Sequence, residues 1–145
     1  MANVPGLVTD PSKIKGGLVS LSSGGIQVPA YLTYPNAAGG SLPGIVVIQE
    51  AFGLVDHICD LARRFANMGY AAIAPALYWR RGAPKNPDNF DDVRPVMFGL
   101  PDSEAVQDLD AAAAYLKAMP GATGKVGVIG FCSGGRHTLL FACSS

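Results

Sequence analysis

The stretch KVGVIGFCSGGRHTLLFACSS, residues 125–145, places a cysteine between two spaced glycines directly after a short apolar run. The run from Val126 to Ile129 is typical of a strand buried in a parallel sheet, and a helix is predicted after Gly135. A glycine-x-nucleophile-x-glycine pattern between a strand and a helix is typical of a nucleophile elbow, a sharp turn that strains the nucleophile and needs small flanking residues. The stretch therefore predicts Cys132 as a reactive thiol at the start of a helix.

Two interpretations of Cys132 are open. Free cysteines are often inert small side chains in protein cores, and a tight turn also accommodates one. The elbow pattern favours a reactive thiol, because a helix N-terminus stabilises the thiolate and the backbone N–H of Ser133 would face an oxyanion formed beside it. A dinucleotide-binding turn is disfavoured, since the glycines at 127, 130, 134 and 135 do not form G-x-G-x-x-G.

The rest of the chain alternates apolar runs with amphipathic segments, which indicates β-α-β units and a mainly parallel sheet with helices on both faces. The predicted parallel strands cover residues 44–50, 70–78 and 125–130. Asp56 is the predicted N-cap of one helix, Asp102 or Ser103 is that of a second, and a third helix is predicted after Gly135. A loop is predicted over residues 79–92. Ser23-Gly24-Gly25 predicts an antiparallel hairpin over residues 17–35 that forms one edge of the sheet.

The composition disfavours several classes of partner. Eleven basic and eleven acidic residues give a net charge of zero without runs of either sign, so neither a nucleic-acid nor a membrane partner is expected. No apolar run approaches the roughly 18 residues of a membrane span. The odd number of cysteines, Cys59, Cys132 and Cys143, fits a reducing compartment. We expect a cytoplasmic protein.

Four collinear stretches resemble the dienelactone hydrolases (carboxymethylenebutenolidases), a family with the α/β-hydrolase fold. They are VVIQEAFGL (46–54), GYAAIAPALYWR (69–80), DLDAAAAYL (108–116) and GKVGVIGFCSGG (124–135). The resemblance runs from about Gly17 to the last residue. It implies that residues 1–145 form a single incomplete α/β-hydrolase domain, with residues 1–16 as a polar lead and the C-terminal part missing.

The resemblance also implies a reaction and a set of site residues. The implied enzyme hydrolyses a small carboxylate-bearing lactone or ester and needs no metal or organic cofactor. The implied roles are Cys132 as nucleophile, Glu50 as the glutamate that helps take the thiol proton, the backbone N–H groups of Ala51 and Ser133 as the oxyanion hole, and Arg80 as the ligand of the substrate carboxylate. From the residues alone, Glu50 is equally a polar strand end, and Arg81 competes with Arg80 for the pocket.

The predicted catalytic triad is incomplete. In this fold the acid and the histidine follow the nucleophile, but no aspartate follows Cys132 and the only later histidine is His137. His137 lies on the helix that follows the thiol, which is expected to carry its side chain away from Cys132 and predicts a poor general base. Nothing in the sequence places His57 against Cys132. His57, Cys59 and Cys143 lack the spacing of metal ligands, so no metal is expected.

These observations predict a fragment of a longer hydrolase that has little activity alone. The strand at residues 126–129 would then be an apolar edge through which the fragment self-associates, whereas the full-length protein is expected to be a monomer. The alternatives are another esterase or thioesterase on the same scaffold, or a catalytically inert fragment.

Overall fold

The computed structural model describes residues 5–37 and 39–144, which form a five-stranded sheet and four α-helices. In chain order the elements are β1 Ile14–Ser23, β2 Ile26–Pro35, β3 Leu42–Ile48, α1 Asp56–Asn67, β4 Ala71–Pro75, α2 Phe90–Gly99, α3 Asp102–Lys117, β5 Ala122–Gly130 and α4 Ser133–Ser144. A single 3₁₀ turn at Pro11–Lys13 precedes β1. The order of elements confirms the predicted α/β class.

The sheet has the strand order β1-β2-β4-β3-β5. β3 is parallel to β4 and β5, whereas β2 is antiparallel to both β1 and β4. The predicted hairpin is therefore confirmed as one edge of the sheet. Its turn has positive φ at Gly24 (57°) and Gly25 (78°), which a two-residue type I′ turn requires and glycine adopts without strain.

β5 forms the opposite edge of the sheet in the described part of the chain. Its apolar side chains at Val126, Val128 and Ile129 are only partly buried. An exposed strand edge offers unpaired backbone groups to another chain. Self-association through this edge stays a prediction.

Side chains from alternate positions of β3 enter two separate cores. Val46 and Ile48 pack on the face covered by α3 and by Phe141 of α4. Val47 points to the other face, where it joins Ile58 of α1. A strand that is covered on both faces needs a continuous run of apolar residues. The run that begins at residue 44 therefore identifies β3 in the sequence.

The structure differs from the sequence prediction in the loop, at two helix starts and at two strand ends. β3 ends at Ile48 rather than at residue 50, and β4 ends at Pro75 rather than at residue 78. Residues 90–92, predicted as loop, begin helix α2, whose pattern is obscured by Pro95 and by a terminal glycine. The predicted caps are also wrong: Val55 and Pro101 occupy the N-cap positions, so Asp56 and Asp102 lie inside their first turns. Acidic residues there still interact favourably with the helix dipole, which explains the one-residue error.

Candidate active site

The strained turn predicted at Cys132 is present. β5 ends at Gly130, α4 begins at Ser133, and Cys132 between them has φ of 55°. Among residues 5–37 and 39–144 it is the only non-glycine residue with positive φ. Such a conformation costs about 1–3 kcal/mol and persists only where the surrounding structure enforces it. The Cys132 side chain is exposed, which does not fit the interpretation of an inert core cysteine.

The two flanking glycines permit the close approach of strand and helix. A Cβ atom at Gly134 would meet the carbonyl oxygen of Gln49 and would lie 2.7 Å from that of Ile48, so α4 begins directly against the end of β3. A Cβ atom at Gly130 would lie 2.7 Å from Thr138 Oγ1 and would collide with the backbone of Gly134. Glycine is therefore required at both positions, because a Cβ atom would collide with backbone atoms that cannot move aside.

Alanine at Gly134 is expected to destabilise the fold, whereas alanine at Gly135 is not. The collision with two carbonyl groups at Gly134 should cost about 3 kcal/mol of unfolding free energy. At Gly135 the nearest atom to an added Cβ is 3.5 Å away, and alanine in a helix is favoured over glycine by up to about 1 kcal/mol. Urea unfolding of both variants measures the difference. Equal stabilities would contradict the packing described for the elbow.

Sheet register places Glu50 and Cys132 at the same edge of the sheet, each after one of two paired strands. Ile48 of β3 is the partner of Gly130 of β5 in a parallel pair, and Glu50 and Cys132 each follow two residues later. Neighbouring strands lie about 4.8 Å apart, so the two segments that follow β3 and β5 leave the sheet side by side at its carboxyl edge. Glu50 is partly buried there. The position agrees with the predicted pairing of this carboxylate with the thiol, which stays a prediction.

The predicted oxyanion donors occupy the two turns that meet at this edge. Ser133 is the first residue of α4, where N–H groups have no acceptor within the helix. Ala51 is buried in the turn after β3. Their roles stay predictions, but both residues adjoin the carboxyl ends of neighbouring parallel strands, where ligands of open α/β sheets bind.

A cavity of about 530 Å³ lies beside Cys132. Its volume lies within the range of small-molecule sites. The lining residues are Met97, Phe98, Leu100, Asp102, Cys132, Ser133, Arg136 and His137. Two of them belong to α2, the helix that sequence patterns did not predict.

His137 lines the same cavity and is only 6% exposed. Burial lowers its pKa, and the positive charge of Arg136 lowers it further, which favours the neutral imidazole at pH 7. No hydrogen bond joins the His137 and Cys132 side chains in the part of the chain that the structure describes. The sequence prediction placed His137 away from the thiol, whereas the structure places it in the wall of the same cavity. His57 is exposed on α1 and does not line this cavity.

Arg80 is held by a buried ion pair. Its Nη1 atom binds the carboxylate of Asp108, which is 0% exposed, and its Nη2 atom lies 3.3 Å from the carbonyl oxygen of Ser23. The Ser23 hydroxyl donates to the same carboxylate at 2.6 Å. The hydrogen bond that Arg80 donates to Asp108 is the main cause that raises the pKa of Arg80 above its ordinary value. The sequence signal for this network is Asp108, a charged residue on the otherwise apolar buried face of α3.

Neither arginine proposed for the pocket lines the Cys132 cavity. Arg80 lines a separate cleft with Glu104 and Gln107, and Arg81 forms an ion pair with Glu104 at 2.6 Å. The predicted role of Arg80 as a carboxylate ligand stays a prediction, and its guanidinium is already engaged.

The described residues offer neither a cluster of metal ligands nor a membrane-spanning helix. Residues 5–37 and 39–144 contain no group of three or more His, Cys, Asp or Glu side chains placed to hold a metal ion. Within the same ranges, none of the helices combines the length and the apolar character needed to cross a membrane.

Comparisons with known proteins agree with this geometry. Residues 28–145 match the model of the "Dienelactone hydrolase family". The chain is 41% identical over 138 residues to a "Putative carboxymethylenebutenolidase" of Salmonella typhi, covering 92% of this chain and 50% of that protein. It is 33% identical to "Carboxymethylenebutenolidase 1" of Cupriavidus pinatubonensis, covering 91% of this chain and 58% of that protein.

A solved structure shows the same architecture. The crystal structure described as a "Putative Dienelactone Hydrolase" of Klebsiella pneumoniae superposes with a TM-score of 0.81 at 39% identity, covering 91% of this chain and 55% of that one. The chain thus spans about half the length of the relatives that it matches. Together, the family model, the identity to these relatives and the shared sheet lead to one conclusion: the chain belongs to the dienelactone hydrolase family, which has the α/β-hydrolase fold.

Proposed function

We propose that this chain carries the nucleophile of a hydrolase that cleaves small carboxylate-bearing lactones or esters, with Cys132 as that nucleophile. The observation that carries the proposal is the strained elbow, in which Cys132 has φ of 55° and faces a cavity of about 530 Å³. Strain held at an exposed nucleophile is characteristic of catalytic sites. Relatives named as carboxymethylenebutenolidases support the choice of a lactone or ester.

The proposed reaction is acyl transfer followed by hydrolysis. Glu50 takes the thiol proton, and the Cys132 thiolate attacks the carbonyl carbon, forming a C–S bond and a negative charge on oxygen. The N–H groups of Ala51 and Ser133 stabilise this oxyanion, and each such donor is typically worth about 10²–10³ in rate. Collapse breaks the ester C–O bond, and the alkoxide leaves as an alcohol with the proton that Glu50 took from the thiol. Water then adds to the thioester carbonyl, the C–S bond breaks, and the products are a carboxylic acid and the regenerated Cys132 thiol.

A hydrolase of uncharged esters is the second candidate, and the ion pairs around the site favour it. Arg80 is paired with Asp108 and Arg81 with Glu104, while Arg136 in the cavity wall is paired with Asp102 at 2.8 Å. A paired guanidinium must give up its partner before it binds a substrate carboxylate. Comparing kcat/KM for an acetate ester and a succinate monoester of the same phenol separates the candidates. A tenfold or larger preference for the succinate ester supports a carboxylate-binding site, and the opposite preference supports the second candidate.

Cys132 is expected to react with iodoacetamide at pH 7 faster than the other two cysteines. Cys132 is exposed and directly precedes the first residue of α4, where free backbone N–H groups stabilise negative charge that develops on the sulfur during the reaction. Cys143 is also exposed and provides the matched control, while burial raises the pKa of the partly buried Cys59. A time course of alkylation at each site, followed by peptide mass spectrometry, measures the three rates. Equal rates at Cys132 and Cys143 would mean that the elbow does not activate its thiol.

We also propose that the 145-residue chain is acylated faster than it is deacylated. Residues 133–145 contain no aspartate and only one histidine, His137. Activation of water for attack on the thioester normally requires a histidine oriented by an acid. The expected result with a p-nitrophenyl ester is a burst of up to one p-nitrophenolate per chain, followed by slow turnover.

A further inference from the structure

Two loops at the carboxyl edge of the sheet are joined by reciprocal hydrogen bonds between side chain and backbone. The Gln49 Oε1 atom, after β3, accepts from the backbone N–H of Leu77, after β4, at 3.1 Å. In the opposite direction, the Tyr78 hydroxyl donates to the carbonyl oxygen of Ala51 at 3.1 Å. Gln49 is 2% and Tyr78 is 4% exposed, so water does not compete for either bond. These two hydrogen bonds hold the turn that contains Ala51 against the end of β4.

The ring of Tyr78 also supports the same turn. A Cβ atom at Gly53 would lie 3.4 Å from Tyr78 Cδ2, and Gly53 has φ of 92°, so the backbone curves closely over the ring. The Gly53 N–H in turn lies 3.4 Å from the carbonyl oxygen of Glu50. The residues from Glu50 to Gly53 therefore form a compact turn that is anchored at its centre by the Tyr78 hydroxyl and packed on its ring.

The Tyr78 hydroxyl keeps its proton at neutral pH. Burial, the largest effect on the phenol, raises the pKa of Tyr78 above its ordinary value. The hydroxyl is therefore able to donate to the carbonyl oxygen of Ala51. The Gln49 Nε2 atom is buried and has no hydrogen-bond partner among the described residues. Buried polar groups without partners are rare and require a specific explanation.

We propose that Tyr78, supported by Gln49, is a positioning residue for the oxyanion hole. Its hydroxyl fixes the Ala51 turn so that the backbone N–H of Ala51 is aimed, together with that of Ser133, at the oxygen of the reacting carbonyl. The unpaired Gln49 amide is retained because its carbonyl oxygen is needed to hold Leu77, and with it Tyr78, in place. This inference rests on the proposed function, since it assigns Tyr78 to acyl transfer at Cys132.

Two reactions of the same thiol test the proposal, because only one of them forms an oxyanion. With p-nitrophenyl acetate the Cys132 sulfur attacks the carbonyl carbon, a C–S bond forms, and the C–O bond to p-nitrophenolate breaks after an oxyanion intermediate. With iodoacetamide the sulfur displaces iodide directly and no oxyanion forms. In Tyr78→Phe, which removes only the hydroxyl, we expect acylation of Cys132 to slow by about tenfold or more, consistent with partial loss of one oxyanion donor. Alkylation of Cys132 is expected to stay within about twofold of the original rate.

The control is Tyr115→Phe, which removes a tyrosine hydroxyl from α3, a helix of the main core. Both reactions of Cys132 should be unchanged in that variant. An unchanged acylation rate in Tyr78→Phe overturns the role of Tyr78 and leaves the proposed function standing. Equal slowing of acylation and alkylation also overturns it, since the hydroxyl would then act on the thiol or on folding. Absence of acylation at Cys132 in the unaltered chain, relative to Cys143, overturns the proposed function and the inference together.

Discussion

Cys132→Ser is expected to reduce ester cleavage by the protein on the order of 10³-fold or more, since a serine hydroxyl is a weak nucleophile without a strong base beside it. The substitution exchanges one atom at a position where φ is 55°, so it leaves the geometry of the elbow in place. The burst of p-nitrophenolate from an activated ester measures the effect. Because the first turnover needs only acylation, the assay does not depend on deacylation.

The matched control for this substitution is Cys143→Ser. Cys143 is exposed like Cys132 but lies in the last turn of α4, away from the strained turn. The Cys143→Ser substitution should leave the burst of p-nitrophenolate unchanged. A Cys132→Ser protein with the original burst amplitude and rate would exclude Cys132 as the nucleophile, and loss of the burst in the control would show that the reaction occurs at Cys143.

Asp108→Asn is expected to lower the free energy of unfolding by about 3 kcal/mol, the lower end of the cost of breaking a buried ion pair from one side. The Asp108 carboxylate is fully buried and binds both the Arg80 guanidinium and the Ser23 hydroxyl. Asparagine keeps the shape and one acceptor but leaves the guanidinium without its counter-charge. For a domain of this size the melting temperature should fall by about 10 °C. Thermal and urea unfolding, monitored by circular dichroism, measure both quantities.

Asp102→Asn provides the contrast, because the same chemical change is made in an exposed pair. The Asp102 side chain is 49% exposed, and it binds Arg136 through two hydrogen bonds of 2.8 Å. Exposed ion pairs contribute little, since solvent screens them and the side chains lose conformational freedom. Its unfolding curve should nearly overlay that of the unaltered protein. Similar destabilisation by the two substitutions would mean that burial of Asp108 does not set the strength of its network.

Much of the fold could be predicted because the decisive rules act over a few residues. The run at residues 44–50 indicates a strand buried on both faces, Gly24-Gly25 suits a turn with two positive φ angles, and the glycines around Cys132 predict a strand-helix elbow. Helix α2 could not be predicted, since Pro95 and Gly99 contradict helix propensity and only the packing of residues such as Val93 stabilises it.

The sequence by itself determined the sheet, the hairpin and the identity of the elbow cysteine, because these depend on local backbone conformation and on the period of apolar residues. Only the tertiary structure decided what surrounds that cysteine. Ser23 and Asp108 are 85 positions apart, and Gln49 and Leu77 are 28 apart, yet each pair is joined by a hydrogen bond. The ion pair of Arg80 with Asp108 and the hydrogen bond of Tyr78 to Ala51 also join residues that are far apart in the sequence. Such contacts follow from how the strands and helices pack, which no short stretch of residues specifies.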